Sequence, residues 1–500
     1  MLKLGSGLRI DSKYLKYLVD EDTENNNNIT ILQYKDETIT KTEFQNIAKC
    51  PNLTHLSLYN INIVNDDGSS ISNSKTIDDL ITDTLSKLTK MKYLQLYNIS
   101  SLKTMKFLSE MPSLVELDLR NCENATDLQY LNTITTMKKL SINNSNITLN
   151  SIQTTINRLN GGGYWTTGNG LVLGTENLYR QLENCTAITD LMCNNYWYSV
   201  IGYTGIGNTA NNPIDLKRCT SLKNIVLYNV QVCLKLPENL NNFQFSYCKN
   251  QNTVYDLSSC KNLTKIYCYD VNSSVTSLIN TLDTIPENGN NNLTIDLANQ
   301  SYLDDTNYLQ LVFALSDIKN LKTFILRSNW HYLTKVTSLD GINKLKYLEK
   351  LEIMDLLNVK KLPNFSGMNS LKELRIKGIN KIGSITEITE DSNLNTLQNL
   401  EILNFDKNQI SNIYGLKIKN ETDFAKLRAI SLQNNCLYDE AFGNQSGYSK
   451  YYLADDILNP LIAKSLKELY LKTNFLTDYS IKSIQKALDA RNNGGVFSHD

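Results

Sequence analysis

A fixed spacing of apolar residues, L-x-x-L-x-L, recurs along this 500-residue chain and limits its possible folds more than any other feature. In CPNLTHLSLYNIN the spacing falls on Leu53, Leu56 and Leu58, and the segments that begin at Leu88 and Cys219 repeat it together with the letters LYNI or LYNV. Residues two apart in a strand share one face, so this spacing predicts a short strand with one buried face. A single unit cannot bury that face alone, and the sequence therefore predicts a stack of repeats.

About sixteen copies can be counted, mostly ~23–29 residues apart, and this pattern resembles the leucine-rich repeat superfamily over nearly the whole chain. LEILNFDKNQISNIYGL, from Leu400, is similar to the short repeats of bacterial internalins. LKELYLKTNFLTDYSIKSIQKAL, from Leu466, is similar to the longer repeats of ribonuclease inhibitor. The resemblance implies an α/β leucine-rich repeat solenoid, with a curved parallel sheet on the concave side and mixed helices and loops on the convex side.

The repeat pattern predicts five segments. They are an N-terminal cap with a first weak repeat (1–50), N-terminal repeats (51–144), an irregular insertion with degenerate repeats (145–219), central and C-terminal repeats (220–477), and a C-terminal capping helix with a tail (478–500). Apolar residues at helical spacing predict return helices over 76–88, 275–282 and 303–315, and a terminal capping helix over 481–488. The last helix would cover the final apolar layer of an open stack.

The turn after each strand has its own signal. Late copies place an asparagine three residues after the last core position, at Asn329, Asn408, Asn435 and Asn474. This side chain is expected to bond neighbouring backbone as the chain leaves the strand. Early copies place Ile61, Ile99 or Cys122 there, and in LYNI we expect the isoleucine to point inward while tyrosine and asparagine point outward.

The ten cysteines fall mostly on positions set by the repeat. Cys50, Cys185, Cys219 and Cys260 each stand three residues before the first core position, as in cysteine-containing leucine-rich repeats. The resemblance implies small, buried, reduced thiols, which favour a reducing compartment. The alternatives, a disulfide framework or a zinc site, lack matching spacings.

The sequence predicts no catalytic residue, cofactor site or metal site. There are only three histidines, and spacing names no partner for a Ser–His or Cys–His arrangement. The glycine-rich stretch 161–170 lacks the Lys-Ser/Thr ending of a phosphate loop. Paired aspartates at 78–79, 304–305 and 455–456 lie near predicted helix starts, where they are interpreted as helix caps.

The outward positions of the strands are the best candidates for a binding surface. Residues predicted to contact a partner are Tyr59, Tyr93, Tyr97, Arg120, Trp197, Tyr228, Tyr247, Tyr267 and Tyr269. Charged residues predicted on the same face are Glu116, Asp118, Glu352, Arg375, Lys377, Asp406 and Lys407. Exposed tyrosine is enriched in recognition surfaces, and outward placement predicts that Tyr97→Ala changes stability by less than about half a kcal/mol. The alternative is composition, because a chain with 28 tyrosines places several there by chance.

These observations favour a non-catalytic protein that binds a partner protein through the concave sheet and the insertion 145–219, which is either a binding loop or a packed plug. A net charge of −1 and the lack of a long apolar run predict no nucleic-acid partner and no membrane insertion, and a monomer is favoured. The resemblance to internalins implies a bacterial source. One alternative is a surface or secreted adhesin or effector acting on a host protein or glycan; the other is an unrecognised enzyme or enzyme regulator. We expect a cytoplasmic protein if the N-terminus is native, and a surface or secreted one if a leader was removed.

Overall fold

The computed structural model divides into two compact units, Met1–Leu240 and Asn241–Asp500. The residues it describes are 8–11, 27–120, 122, 124–125, 127–137, 139–142, 170–173, 190–194, 213–228, 233–246, 253–269, 275–290, 292–300, 303–328, 335–378, 385–416, 418, 420, 422–438, 465–489 and 495–499. The description covers the backbone alone for 8–11, 170–173 and 192–194 and for Arg120, Thr133, Tyr228, Tyr414, Tyr479, Ser483 and Ala487.

The first unit is built on parallel strands that pair in chain order. They are Leu8–Asp11, Ile29–Lys35, His55–Tyr59, Tyr93–Tyr97, Glu116–Arg120, Lys139–Ile142, Gly170–Leu173, Asp190–Asn194 and Asn224–Tyr228. Core positions align, so Leu56 lies opposite Leu94 and Leu94 lies opposite Leu117. All three side chains are buried, and each contributes about 1.5–3 kcal/mol of burial free energy. Short parallel pairs form between Thr38–Thr40 and Asn62–Val64 and between Ile214–Asp215 and Leu234–Lys235.

The second unit repeats this arrangement. Its parallel strands are Asn242–Ser246, Lys265–Tyr269, Leu293–Ala298, Leu321–Arg327, Lys350–Met354, Glu373–Lys377, Ile402–Asn404, Ala429–Ser431, Glu468–Tyr470 and Val496–Ser498. Leu351 lies opposite Leu374, Leu374 lies opposite Leu403, and all three are fully buried. The repeats and their parallel strands confirm the predicted leucine-rich repeat architecture.

Helices and 3₁₀ turns return the chain between strands. The α-helices are Lys41–Asn46, Ser74–Leu85, Val275–Leu282, Asp305–Ser316 and Asp478–Asp489. The 3₁₀ helices are Ile47–Lys49, Lys106–Glu110, Leu128–Thr133, Ile342–Lys344, Glu390–Ser392, Leu394–Thr396 and Tyr414–Leu416. The three predicted return helices are therefore present, with ends displaced by a few residues at most, and a helix also forms at the position of the predicted cap.

The last helix is not the end of the stack. The strand Val496–Ser498 follows it and pairs in parallel with Glu468–Tyr470. Helix Asp478–Asp489 is therefore a return segment between two strands, rather than the terminal cap that the sequence suggested. The predicted boundaries at 144 and 219 remain predictions, because much of the chain between them lies outside the described residues.

The aspartate pairs have two different roles. Asp304 is a helix cap as predicted, since its carboxylate accepts a hydrogen bond from the backbone N–H of Asn307 (2.8 Å). Asp78 is not a cap: it lies inside helix Ser74–Leu85, whose N-cap is Asn73. Its Oδ1 accepts from the backbone N–H of Lys103 (2.7 Å) and of Thr104 (3.0 Å) in the next repeat. This carboxylate therefore joins consecutive repeats.

The late asparagines form the predicted backbone contacts. Asn408 Nδ2 donates to the carbonyl oxygens of Ile376 (2.8 Å) and Phe405 (3.1 Å). Asn435 Nδ2 donates in the same way to Phe405 and Leu432, both at 2.9 Å. Each amide thus ties the end of its own strand to the end of the preceding one. Asn474 makes equivalent bonds, and Asn329 lies outside the described residues.

The backbone conformation after the strand explains why LYNI contains an asparagine. Asn60 and Asn98 have φ of 51° and 56°, in the left-handed region where asparagine is strongly favoured over most other residues. Their side chains are linked, since Asn98 Nδ2 donates to Asn60 Oδ1 (2.7 Å) and Asn60 Nδ2 donates to Asp36 Oδ1 (2.9 Å). Ile61 and Ile99 follow them and are buried, as predicted.

The described cysteines are thiols with little access to solvent. Cys50, Cys122, Cys219, Cys233, Cys260 and Cys268 are buried, and Cys436 is half-buried. Burial raises the pKa of the Cys50 and Cys122 thiols to about 12. The thiols of Cys185, Cys193 and Cys248 lie outside the described residues. In the part of the chain that is described, no helix is both long and apolar enough to cross a membrane.

Candidate functional site

The open face of the sheet, opposite the buried leucines, carries the candidate site. In the first unit, strand His55–Tyr59 presents His55, Ser57 and Tyr59 on this face, alternating with buried Leu56 and Leu58. The neighbouring strand Tyr93–Tyr97 aligns with it residue by residue, so its own outward side chains form rows with those three.

The first row lies at the C-terminal ends of the strands. The rings of Tyr59 and Tyr97 stack with centroids 4.2 Å apart and an interplanar angle of 2°. The Lys35 ammonium lies 5.4 Å from the centroid of the Tyr59 ring, within cation–π range. The sequence predicted the matching positions of the two tyrosines, and the parallel register confirms them.

Tyr97 differs from its predicted exposure. The side chain lies on the outward face, as predicted, but the residue is only 9% exposed, and Tyr59 covers one face of its ring. The prediction of a small stability change for Tyr97→Ala assumed an exposed side chain, and that assumption is wrong. Tyr97 supports the aromatic surface rather than forming its most accessible part.

The second row lies at the N-terminal ends of the same strands. His55 and Tyr93 stack with ring centroids 4.2 Å apart and planes 17° from parallel. Tyr93 is 36% exposed and is the more accessible partner. Burial, together with the nearby charge of Lys92, lowers the pKa of His55 below its usual value and so favours the neutral imidazole.

A polar strip separates the two rows. The rows are four residues apart along each strand, or about 13 Å at the usual strand rise. Ser57 and Gln95 occupy the middle outward positions and lie opposite each other. The result is a pair of aromatic ridges with a hydrogen-bonding strip between them, which suits an extended polar chain better than a compact apolar ligand.

The two described histidines contact a hydroxyl and an aromatic ring. His55 Nδ1 lies 2.8 Å from Thr54 Oγ1, and the same hydroxyl lies 3.1 Å from the carbonyl oxygen of Thr30. The hydroxyl has one proton, so when it donates to this carbonyl its oxygen accepts from the His55 ring. His499 contacts Phe497, and His331 lies outside the described residues. No cluster of three or more His, Cys, Asp or Glu side chains within the described ranges could hold a metal ion.

The remaining six predicted contact residues are placed as follows. Arg120 lies opposite Tyr97 on the next strand, and Tyr228 lies opposite Asn194. The side chains of Arg120 and Tyr228 are not described. Trp197 and Tyr247 lie outside the described residues, as does most of the insertion 145–219. Tyr267 and Tyr269 lie on the open face of the second unit.

The second unit contains a cluster that the sequence analysis missed. The Arg327 guanidinium carbon lies 5.4 Å from the centroid of the Tyr267 ring, and its Nη2 donates to Asp296 Oδ2 at 2.8 Å. The Asp296 side chain is 4% exposed, and burial raises its pKa despite the nearby Arg327. A signal existed in LTIDLA, where an aspartate takes an outward position between apolar residues, but its partner lies 31 residues further along.

Three of the seven predicted charged residues form ion pairs on the sheet. Glu116 bonds Lys139 (2.7 Å), and Lys350 lies 3.3 Å from Glu352 and 3.1 Å from Glu373. Arg375 also contacts Glu373. A further carboxylate, Asp406, accepts hydrogen bonds from the Ser431 hydroxyl and the Gln433 backbone N–H. These charges largely satisfy one another, which leaves the aromatic rows and the Arg327 cluster as the distinctive features of the open face.

Comparisons with known proteins find structural resemblance only. No protein-family model matches the sequence, and no curated protein matches it. An internalin from Listeria monocytogenes is similar at 15% identity and TM-score 0.29, over 98% of this chain and 94% of that one. A leucine-rich repeat protein of Leptospira interrogans shares 14% identity at TM-score 0.35, over 100% and 96%. The Drosophila Toll–Spatzle complex shares 12% identity at TM-score 0.43, over 94% and 54%. The fold assignment therefore rests on this chain's own repeats and strand pairing.

Proposed function

We propose that this leucine-rich repeat chain is a non-catalytic recognition protein that binds a partner protein through the open face of its sheet. The observation that carries the proposal is the pair of aromatic rows, Tyr59 with Tyr97 and His55 with Tyr93, on two adjacent strands. Tyrosine supplies a large contact area with a polar tip, and few of its torsions must be immobilised on binding.

The stacking supports recognition because it fixes the rings before a partner arrives. A ring already packed against its neighbour loses less conformational freedom on binding than an isolated side chain. Tyr93 remains 36% exposed and Tyr59 half-buried, so both still offer surface. Ser57 and Gln95 between the rows can exchange hydrogen bonds with the main chain of an extended segment.

Charge does not favour a nucleic-acid partner. The chain has a net charge of −1, and basic residues of the open face, such as Lys139 and Lys350, pair with carboxylates. Binding to a phosphate backbone needs a row of unpaired cations. The insertion 145–219 is retained in the proposal as a second contact region, on the sequence argument alone.

The test is partner capture with matched tyrosine variants. The purified chain would be immobilised and exposed to a lysate of the native organism, alongside Tyr93→Ala and Tyr347→Ala. Tyr347 is the control: it is 43% exposed but lies before strand Lys350–Met354 in the second unit rather than on the aromatic rows. We expect a specific partner that Tyr347→Ala retains and that Tyr93→Ala binds more than about fivefold more weakly. Equal retention by both variants would contradict a site on these rows.

A further inference from the structure

The ion pair of Asp296 and Arg327 leaves two buried polar atoms without a described partner, and they complement each other. Arg327 Nε and Asp296 Oδ1 have no hydrogen bond, while Nη2 and Oδ2 of the same two residues are joined at 2.8 Å. A guanidinium and a carboxylate commonly meet through two parallel bonds. Here one such bond is present, and the two atoms without a partner belong to the same two groups, so we interpret Asp296 as the residue that holds the Arg327 guanidinium in place.

This anchoring directs the rest of Arg327 toward solvent. Its side chain is 39% exposed although its carboxylate partner is buried, and the Tyr267 ring lies beside the guanidinium. Asp296 accepts through Nη2 alone, so the guanidinium keeps further N–H groups with which to bind an acceptor from solvent. An arginine held in this way is prepared for an acceptor, since its planar donors already have a fixed direction.

The neighbouring outward positions have the composition of an interface centre. Reading across the strands, the row is Tyr269, Ala298, Arg327, Met354 and Lys377. Tyrosine, methionine and arginine are enriched in interface cores, and this row contains no acidic side chain. Tyr269, Met354 and Lys377 are each half-buried, so part of each side chain is accessible to a partner while the rest is packed.

We propose that this row, together with Tyr267, is a docking site for an acidic segment of a protein partner. A carboxylate of that segment would accept from the free N–H groups of Arg327, and an adjacent apolar side chain would pack against Met354 and Tyr269. Lys377 lies two strands from Arg327, or about 10 Å at the usual strand spacing, where it would meet a second carboxylate. The inference rests on the proposed function and specifies the chemistry of a partner.

A carboxylate fits this site better than a nucleic-acid phosphate backbone. Only two cations lie in the row, and the charge of Arg327 is partly balanced by Asp296 beneath it. Such a site can recognise one or two anionic groups beside apolar surface, whereas a nucleic acid needs many unpaired cations. Complementary charge also fixes the register of the partner along the row.

The experiment uses a phage-displayed library of random 12-residue peptides selected on the purified full chain. Enriched peptides should contain at least two Asp or Glu residues and should bind more weakly as salt is raised. By fluorescence anisotropy, Arg327→Gln should lower their affinity at least tenfold, and Arg327→Lys by a smaller factor. Lys377→Gln should lower it about threefold to fivefold. Lys322→Gln is the control, because Lys322 lies on the same strand but pairs with Glu349 away from this row. The affinity of this variant for the peptides should stay within twofold of wild type.

Arg327→Gln leaves a buried carboxylate unpaired, so the double variant Asp296→Asn with Arg327→Gln tests binding without that charge. It should melt near the wild-type temperature and still fail to bind. The inference is overturned if no peptide is enriched, if enriched peptides lack acidic residues, or if the double variant binds within twofold of wild type. Peptides that lose affinity with Tyr93→Ala but not with the Arg327 variants would support the proposed function while removing this site. Loss with the Arg327 variants alone would support this site and would show that the aromatic rows are not needed to bind these peptides.

Discussion

The rings of Tyr59 and Tyr97 lie face to face, with centroids 4.2 Å apart and planes 2° from parallel, on adjacent strands of the first unit. Tyr97 is 9% exposed. Replacing it with alanine removes buried ring area and the stacking contact, so Tyr97→Ala should lower the free energy of unfolding by about 1.5–3 kcal/mol. Urea denaturation of Tyr59→Ala, Tyr97→Ala and the double variant would measure this loss and a coupling of about 0.5–1.5 kcal/mol.

Tyr93→Ala is the control for that cycle, because Tyr93 is four times as exposed as Tyr97 and should cost less than about 1 kcal/mol. If the loss of unfolding free energy in the double variant equals the sum of the two single losses to within about 0.3 kcal/mol, the two rings do not stabilise each other.

Asp78 and Asp79 are adjacent residues of one helix with opposite environments. Asp78 is buried and accepts two backbone N–H groups from the next repeat, whereas Asp79 is exposed. Asp78→Ala leaves both donors without their acceptor and should lower the free energy of unfolding by about 1–3 kcal/mol. Asp79→Ala should change it by less than about 0.5 kcal/mol. Equal effects in thermal melts of the two variants would show that Asp78 does not link the repeats.

The sequence was sufficient for features that recur in every repeat. Apolar spacing located the strands and the return helices, and it placed Tyr59 opposite Tyr97. A repeat places equivalent residues in register, so these predictions needed no knowledge of any particular side-chain contact. The left-handed φ of Asn60 could also have been predicted, since asparagine is the residue that tolerates it best after glycine.

Features that depend on one particular neighbour could not be predicted in this way. The burial of Tyr97 depends on the rotamer of Tyr59, and the role of Asp78 depends on amides 25 residues later. The Asp296–Arg327 pair joins residues on adjacent strands that no local pattern links. The periodic positions determine which residues are near one another, whereas rotamers and hydrogen bonds determine which of them interact.

Leu403 tests the core position of a regular late repeat. It is fully buried, opposite Leu374 on one side and Ile430 on the other. Leu403→Asp would bury an unpaired carboxylate and should cost several kcal/mol, on the order of 3–5, with loss of the neighbouring strands first. Lys407→Asp is the control, since Lys407 is exposed in the same repeat. An unchanged melting temperature and far-UV circular dichroism for Leu403→Asp would mean that its side chain does not face the core.

The cysteines should be reactive only when the chain unfolds. In denaturant without reductant, thiol titration should find close to all ten cysteines. In the native protein the reaction should be slow, and among the seven described thiols Cys436 should be modified first, because it is half-buried while the other six are buried. Mass spectrometry of partly labelled protein would identify the order. Recovery of disulfides, or early labelling of Cys50, would contradict the buried-thiol interpretation.

Cys50 should also make the protein less stable at alkaline pH. Burial raises its pKa from the ordinary value of 9.0 to about 12, so above pH 9 the unfolded chain holds a thiolate while the folded chain keeps its proton. The unfolded state then binds fewer protons than the folded state, and stability falls as pH rises from 9 toward 12. Between pH 8 and pH 10 this thiol should account for about 1 kcal/mol of the loss. Urea unfolding under reductant at both pH values would compare wild type with Cys50→Ala, which lowers stability at each pH but should show the smaller difference between them. If the free energy of unfolding falls equally in both proteins between the two pH values, the pKa of Cys50 is not raised in the folded chain.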